Sequence, residues 1–311
     1  MKADKFKIVV LGEPMVEFNQ MDSGNEHCFV QGYGGDTSNF AIAAARQGAS
    51  VAYISAIGDD SYGSLLRKLW DSEGVNHSYV KTNSTAYTGI YFVTHDERGH
   101  HFSFYRNDSA ASRMRPADLP FEIINSACVL HLSGITLAIS NNSCDTAYEA
   151  VAQARKAGVL VSFDTNLRPK LWSIGRARAI TNDFIANCDI CLPSYEDIVA
   201  ITGIREPDAL VDHCLRLGAK IVALKLGADG ALVANATHRH RIAPRPSKLV
   251  DATGAGDTFG GAFVARLVAG DDLFKAARYA VVAAGLSTED FGAIAPIPRA
   301  QQVRIALGEE A

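Results

Sequence analysis

The stretch DATGAGDTFGG, from Asp251 to Gly261, sets four glycines and two acids directly before the apolar run AFVARLVAG. Glycine marks places where a chain must turn tightly or where something must come close. The stretch reads as a strand end, a loop, and a helix that starts near Gly256 or Asp257. Unpaired N–H groups at a helix start, with the helix dipole, make a site for an anion. Gly254 and Gly256 carry no side chain, so phosphate oxygens can approach the backbone. Asp257 then stands in the first turn, beside that anion. A carboxylate there can be a simple helix cap, with Gly260 and Gly261 allowing close helix packing. It can also take the proton of an alcohol that attacks a phosphoryl group held by the loop. A weak base suffices, because the transition state is loose and proton removal is late. Two common phosphate fingerprints do not describe this loop. G-x-x-x-x-G-K-[ST] is absent, and G-x-G-x-x-G fails because Phe259 stands where the last glycine belongs.

Such a loop needs a scaffold that presents strand ends. FKIVVLG, VAYISAIG, CVLHLSG, VLVSFDTN, CDICLPS and KIVALKLG read as strands, most of them nearly continuous in apolar residues. That is the pattern of strands buried on both faces of a parallel sheet. Helical stretches lie between them: TSNFAIAAARQG with a stop at Gly48, SCDTAYEAVAQARKAG ending at Gly158, and DALVDHCLRLG ending at Gly218. The alternation predicts one doubly wound α/β domain over residues 1–311. Two segments break the rhythm. Residues 13–33 hold strand-like pieces and no good helix. Residues 87–106, YTGIYFVTHDERGHHFSFYR, read as a hairpin around the turn DERG. Together they could form a small β lid that excludes water during a reaction, or a decorative edge.

Bulk composition narrows the function classes. Of the 311 residues, 48% are apolar and 21% charged, with a net charge of −4. No basic block invites a nucleic-acid backbone or an anionic membrane. The apolar run in MKADKFKIVVLGEP is too short for a signal-peptide core, and no stretch approaches a membrane span, so a cytoplasmic protein is expected. Cys188 and Cys191 spell C-x-x-C, but they sit in a strand-like segment with no second pair to complete a zinc site. His100, His101, His238 and His240 fall in turns or hairpins and are read as solvated.

DATGAGDTFGGAFVARL closely resembles the C-terminal signature of the ribokinase-like (PfkB) carbohydrate kinases. GYGGDTSNFAIAAARQG, Gly32 to Gly48, resembles their N-terminal signature. The resemblance implies a ribokinase-like α/β fold with a mostly parallel central sheet and a small β lid. It further implies that Asp257 is the catalytic base and that the backbone of Gly254, Ala255 and Gly256 forms an anion hole. FYRNDSAAS, HLSGITLAIS and FDTNLRPKLW are similar to the 2-keto-3-deoxygluconate kinases of that family. Their substrate carries a carboxylate, which calls for a guanidinium's paired donors. Arg106 and Arg168 are the candidate clamps. Tyr91, Gly34, Gly35, Asp36 and Asn39 match further sugar contacts. Relatives carry tyrosine where this chain has Phe104, and the neighbouring Tyr105 could compensate or point away.

On the nucleotide side, KLGADGALV resembles the family's K-x-G stretch, so Lys225, Gly227 and Gly230 are expected to line an ATP site. Ser194-x-x-Asp197 stands where many relatives have N-x-x-E, used to organise Mg²⁺ and water. Asp164 and Asn166 of FDTN are expected at the same cleft. The resemblance implies ATP and Mg²⁺ as cofactors, a sugar acid as substrate, and homo-oligomers formed through lid strands. Rival readings are another sugar kinase of the family, acting on fructose or ribose, and a non-catalytic sugar-acid sensor on the same fold.

Overall fold

The computed structural model describes residues 6–21, 27–96 and 99–309. Thirteen strands are described: β1 (Ile8–Leu11), β2 (Met15–Gln20), β3 (Phe29–Gly34), β4 (Val51–Gly58), β5 (Val75–Asn83), β6 (Ile90–Asp96), β7 (Gly99–Tyr105), β8 (Val129–Ser133), β9 (Leu160–Asp164), β10 (Ile190–Cys191), β11 (Ile221–Lys225), β12 (Ala231–Asn235) and β13 (Arg239–Ile242). Nine of them form one sheet in the order β13-β12-β11-β10-β9-β8-β1-β4-β5. Pairings from β5 through to β11 are parallel, and β12 and β13 add an antiparallel edge.

The apolar runs have a physical cause. In β1, Ile8 and Val10 join one buried cluster with Phe40 and Phe263, while Val9 and Leu11 join another with Leu130 and Phe163. Successive side chains of a strand point to opposite faces. A strand covered by helices on both sides must therefore be apolar at every position. Each of the six strand segments anticipated from the sequence contains an observed strand. The helices Asp36–Arg46, Asn141–Lys156 and Pro207–Leu217 give way to Gly48, Gly158 and Gly218, all at positive φ.

The two irregular segments meet in a second, four-stranded sheet in the order β3-β2-β6-β7. β6 and β7 pair antiparallel from Ile90↔Tyr105 to Asp96↔Gly99, which is the expected hairpin. Residues 97–98 of its anticipated DERG turn lie outside the described residues, as do 22–26 between β2 and β3. The C-x-x-C cysteines are buried free thiols beside Cys214. Among the described residues no helix is long and apolar enough to cross a membrane.

Helix Ala255–Ala269 packs on helix Asp36–Arg46 with almost no space between them. A Cβ on Gly261 would lie 2.5 Å from the Phe40 carbonyl oxygen and 2.7 Å from the Ala43 Cβ. Both neighbours belong to a buried helix and cannot step aside cheaply. Gly261→Ala should therefore destabilise the protein by about 1–3 kcal/mol, the usual cost of overpacking. Urea denaturation measures it, and an unchanged midpoint would show that the helices have slack.

Candidate active site

The C-terminal ends of β9, β10 and β11 open into a cleft of about 1110 Å³ whose opposite wall is the small sheet. Open α/β sheets bind ligands outside the carboxyl ends of their strands. Of the residues singled out from the sequence, Gly35, Asp36, Asn39, Tyr91, Phe104, Arg106, Asn166, Arg168, Ser194, Asp197, Lys225, Gly227, Gly230 and the whole run Gly254–Asp257 line it. They come from widely separated stretches, and the fold brings them to one place.

The glycine loop is built by its first acid. The Asp251 carboxylate accepts hydrogen bonds from the Thr253 N–H (2.9 Å) and hydroxyl (2.6 Å), and from the Gly292 N–H (3.0 Å). Gly254 then takes a left-handed conformation (φ 75°), and a Cβ there would lie 2.9 Å from the Ala293 carbonyl oxygen. The helix begins at Ala255, one residue earlier than the sequence suggests. That start changes which amides are open. Ala255 N–H donates to the Ala252 carbonyl (3.2 Å) and is spent in the turn. Gly256 and Asp257 N–H have no acceptor among the described residues, as expected of a first helical turn. Of the run Gly254–Gly256 read from the sequence, only the Ala255 N–H is spent; the Gly254 N–H, like those of Gly256 and Asp257, has no acceptor among the described residues.

Asp257 is held by Asn39, whose amide donates to its Oδ2 at 2.8 Å. Around it stand Asp36, which accepts from the Asn166 amide (2.9 Å), and Asp164, which pairs with the Lys225 ammonium at 2.5 Å. Burial, and after it the charge of Asp36, pushes the Asp257 carboxyl up to about 8 against an ordinary 3.8. Water in the open cleft reaches part of this side chain and damps the shift, but both main causes act in one direction. Burial likewise raises Asp164, against the pull of Lys225. Asp197 accepts from the Leu167 N–H (3.0 Å), and Gly230 admits no side chain, since a Cβ would lie 2.1 Å from the Ile242 carbonyl oxygen.

The small sheet supplies an aromatic wall. Tyr91 stacks on Phe104 with ring centroids 5.4 Å apart, and Phe104 stacks on Phe102. Strand alternation turns Tyr105 to the other face, where it packs edge-on against Phe92 at 5.8 Å, so it does not replace a cleft tyrosine at Phe104. Gly34 is likewise not part of the lining; a Cβ there would strike the Tyr91 hydroxyl at 2.4 Å, so the residue makes room for that ring. Two acids that the sequence reading passed over hold this wall. Glu17 accepts from the Tyr91 hydroxyl (2.6 Å), and burial raises its carboxyl above the usual range. Glu13, fully buried, accepts from Arg106 Nε (2.7 Å) and Nη2 and from the Ser109 hydroxyl. Arg106 is therefore already paired. Arg168 donates to the Leu167 carbonyl (2.9 Å) and has no carboxylate partner among the described residues. The one available signal was LGEPMVEF, where two acids stand at the start of an otherwise apolar strand segment.

Residues 5–300 match the pfkB family carbohydrate kinase pattern. The chain belongs to that family. This kinase is 34% identical over 293 residues to the 2-dehydro-3-deoxygluconokinase of Thermoproteus tenax, covering 90% of this chain and 87% of that one. It is 32% identical over 311 residues to fructokinase-1 of Oryza sativa subsp. japonica, covering 95% and 96%. Its fold is that of a fructokinase from Vibrio cholerae O395 crystallised with fructose, ADP and calcium. The TM-score is 0.87 at 26% identity, with 98% of this chain and 100% of that one covered. The kinase is thus a phosphotransferase that acts on a sugar hydroxyl.

The crowding of acids sets a titration that can be measured without turnover. Carbon-13 NMR of the ligand-free kinase should find the Asp257 carboxyl titrating well above an ordinary aspartate's 3.8, and Asp36→Asn should bring it down. The native state holds that proton more tightly than the unfolded chain. Stability contributed at this position is therefore present below pH 3.8 and is lost as pH rises toward 8. Asp257→Asn should raise the melting temperature at pH 8 by roughly 1–4 °C. A fall on the same substitution would contradict the shift.

Proposed function

We propose that this kinase transfers the γ-phosphoryl group of ATP to the 6-hydroxyl of 2-keto-3-deoxygluconate, giving 2-keto-3-deoxy-6-phosphogluconate and ADP. The observation that carries the choice of a sugar acid is Arg168, an exposed guanidinium lining the cleft with no carboxylate partner among the described residues. Water can satisfy it in the open cleft, but a substrate carboxylate would match its paired donors and a neutral sugar would not. Arg106 is a weaker support than the sequence suggests, because Glu13 already compensates it. The 2-dehydro-3-deoxygluconokinase relative points the same way, and the fructokinase at nearly equal identity keeps fructose as the second reading.

The residues present suit a nucleotide with its metal ion. Open amides at Gly256 and Asp257 face the cleft, and the missing side chain of Gly256 leaves its Cα side near Lys225, whose Nζ lies 3.5 Å from a built Cβ. Among the described residues no group of three or more His, Cys, Asp or Glu is arranged to hold an ion. Mg²⁺ would therefore enter on the phosphates, with Asp197 as the protein's contribution. When bound, ATP supplies the phosphoryl group and Mg²⁺ neutralises its oxygens.

The chain's own residues do the rest in this reading. Asn39 fixes the orientation of Asp257, which accepts the proton of the sugar hydroxyl. To act as the base it must be ionised, and the positive charge of a bound Mg²⁺ would favour that form over the protonated one. The amides of Gly256 and Asp257 hold the charge of the moving phosphoryl group. Asp36 and Tyr91 orient the sugar, and Arg168, aided by Arg106, holds its acid end. The four-stranded sheet serves as a lid that keeps water out.

An ADP-release assay with 2-keto-3-deoxygluconate, fructose and ribose tests the reading. Turnover of the acid should far exceed that of either neutral sugar, and the reverse order would move the assignment to a neutral-sugar kinase. Arg168→Met should raise KM for the acid about 10–100-fold, as loss of a charge-assisted contact does, with neutral sugars little changed. Asp257→Asn should lower kcat by several orders of magnitude, and retained activity would remove it as the base.

A further inference from the structure

Helix Asp36–Arg46 carries Asp36 and Asn39 at its N-terminal end, and its other end grips a different part of the molecule. Arg46 is largely buried, its side chain 9% exposed, and its guanidinium works on two edges. Nε and Nη2 donate to Glu73 at 2.9 and 2.7 Å. Nη1 donates to the carbonyls of Ile294 (3.0 Å), Ala295 (3.4 Å) and Ile297. The next residue, Gln47, donates to the Pro298 carbonyl at 2.8 Å and is itself held by the Tyr279 hydroxyl. Residues 290–298 contain no helix or strand, so their position depends on such side-chain contacts. This segment is also the wall of the glycine loop. Gly292 N–H reaches the Asp251 carboxylate that folds the loop, and the Ala293 carbonyl sits against Gly254.

We propose that Arg46 is a positioning residue for phosphoryl transfer. It sets the geometry of the Gly254–Asp257 loop through the 292–298 segment, and so ties the helix that bears Asn39 to the loop that bears the open amides. Arginine suits the task because its planar fork presents five donors on fixed edges, whereas an ammonium is a single point. The inference rests on the glycine loop being the phosphoryl site, and does not depend on which sugar is turned over.

The test uses whichever sugar the wild-type kinase phosphorylates. Arg46→Lys keeps a positive charge facing Glu73 but cannot span Glu73 and three carbonyls together. Its kcat should fall about tenfold or more with sugar KM within about twofold, since small misplacement of reacting groups is costly. Hydrogen exchange over 288–298 should quicken. Glu73→Gln weakens its ion pairs with Arg46 and with Arg299 (3.4 Å) while leaving the Nη1 contacts, and should keep kcat within about threefold even where its melting temperature drops as far. Should Arg46→Lys not fold, Gln47→Met, which removes only the adjacent grip on Pro298, should lower kcat about threefold with KM unchanged. Wild-type kcat in the folded Arg46 variant, or in Gln47→Met where that variant does not fold, overturns the proposal. So does a loss of kcat that tracks melting temperature equally in the Arg46 and Glu73 variants. Asp257→Asn run alongside separates the two ideas: activity surviving there would remove Asp257 as the base and with it the reading on which the clamp rests, whereas its loss beside an unaffected Arg46→Lys sinks the clamp alone.

Discussion

The site is organised around the approach of two helices, Asp36–Arg46 and Ala255–Ala269. The 2.8 Å bond from Asn39 to Asp257 crosses their interface, where Gly261 lies against the backbone of the other helix and Gly260 against the Phe40 ring. One helix brings the polar groups of the N-terminal motif, and the other brings the open amides of the glycine loop. Each helix is locked by apolar burial along its length, with Phe40, Ala41, Phe259 and Phe263 in a single cluster. A polar pair of this kind gains little stability by itself. Its value is that packing, which is hard to deform, sets its geometry.

The same closeness creates an electrostatic problem. Asp36, Asp164 and Asp257 face one cleft, with Lys225 bonded to only one of them. Burial, with the neighbouring carboxylates adding to it, raises Asp257 and Asp164, so these two hold a proton more tightly than exposed aspartates do. In the proposed reaction the metal ion of the nucleotide complex would bring positive charge close to these acids. The acids and the open amides would then divide the work, the acids facing the attacking hydroxyl and the amides the phosphoryl oxygens.

The sequence made much of this legible, for identifiable reasons. Parallel strands buried on both faces leave unbroken apolar runs, and positive-φ glycines end the helices, so the central sheet could be read directly. The glycine loop was legible because no ordinary helix start needs Gly254 and Gly256 together. What was hidden depended on contacts across long separations. Nothing near Arg106 announces that Glu13, 93 residues away, has already taken its charge. Ala255 looked like part of the anion hole because spacing cannot show that its N–H closes a turn on Ala252. For Tyr105, the hairpin was evident, but the face each aromatic takes is set by the register Ile90↔Tyr105.

The Glu13–Arg106 pair also bears on how substrate arginines can be identified. A guanidinium paired with a fully buried carboxylate cannot be removed without leaving that carboxylate unpaired, which is strongly destabilising in its own right. Loss of activity on removing Arg106 would then report on the joint between β7 and the segment before β2 as much as on substrate. Arg168 has no such partner among the described residues, so its removal changes the cleft's charge at the loss of one hydrogen bond, to the neighbouring Leu167 carbonyl. Of the two arginines, the one that contributes less to the fold is the more informative about what the cleft receives.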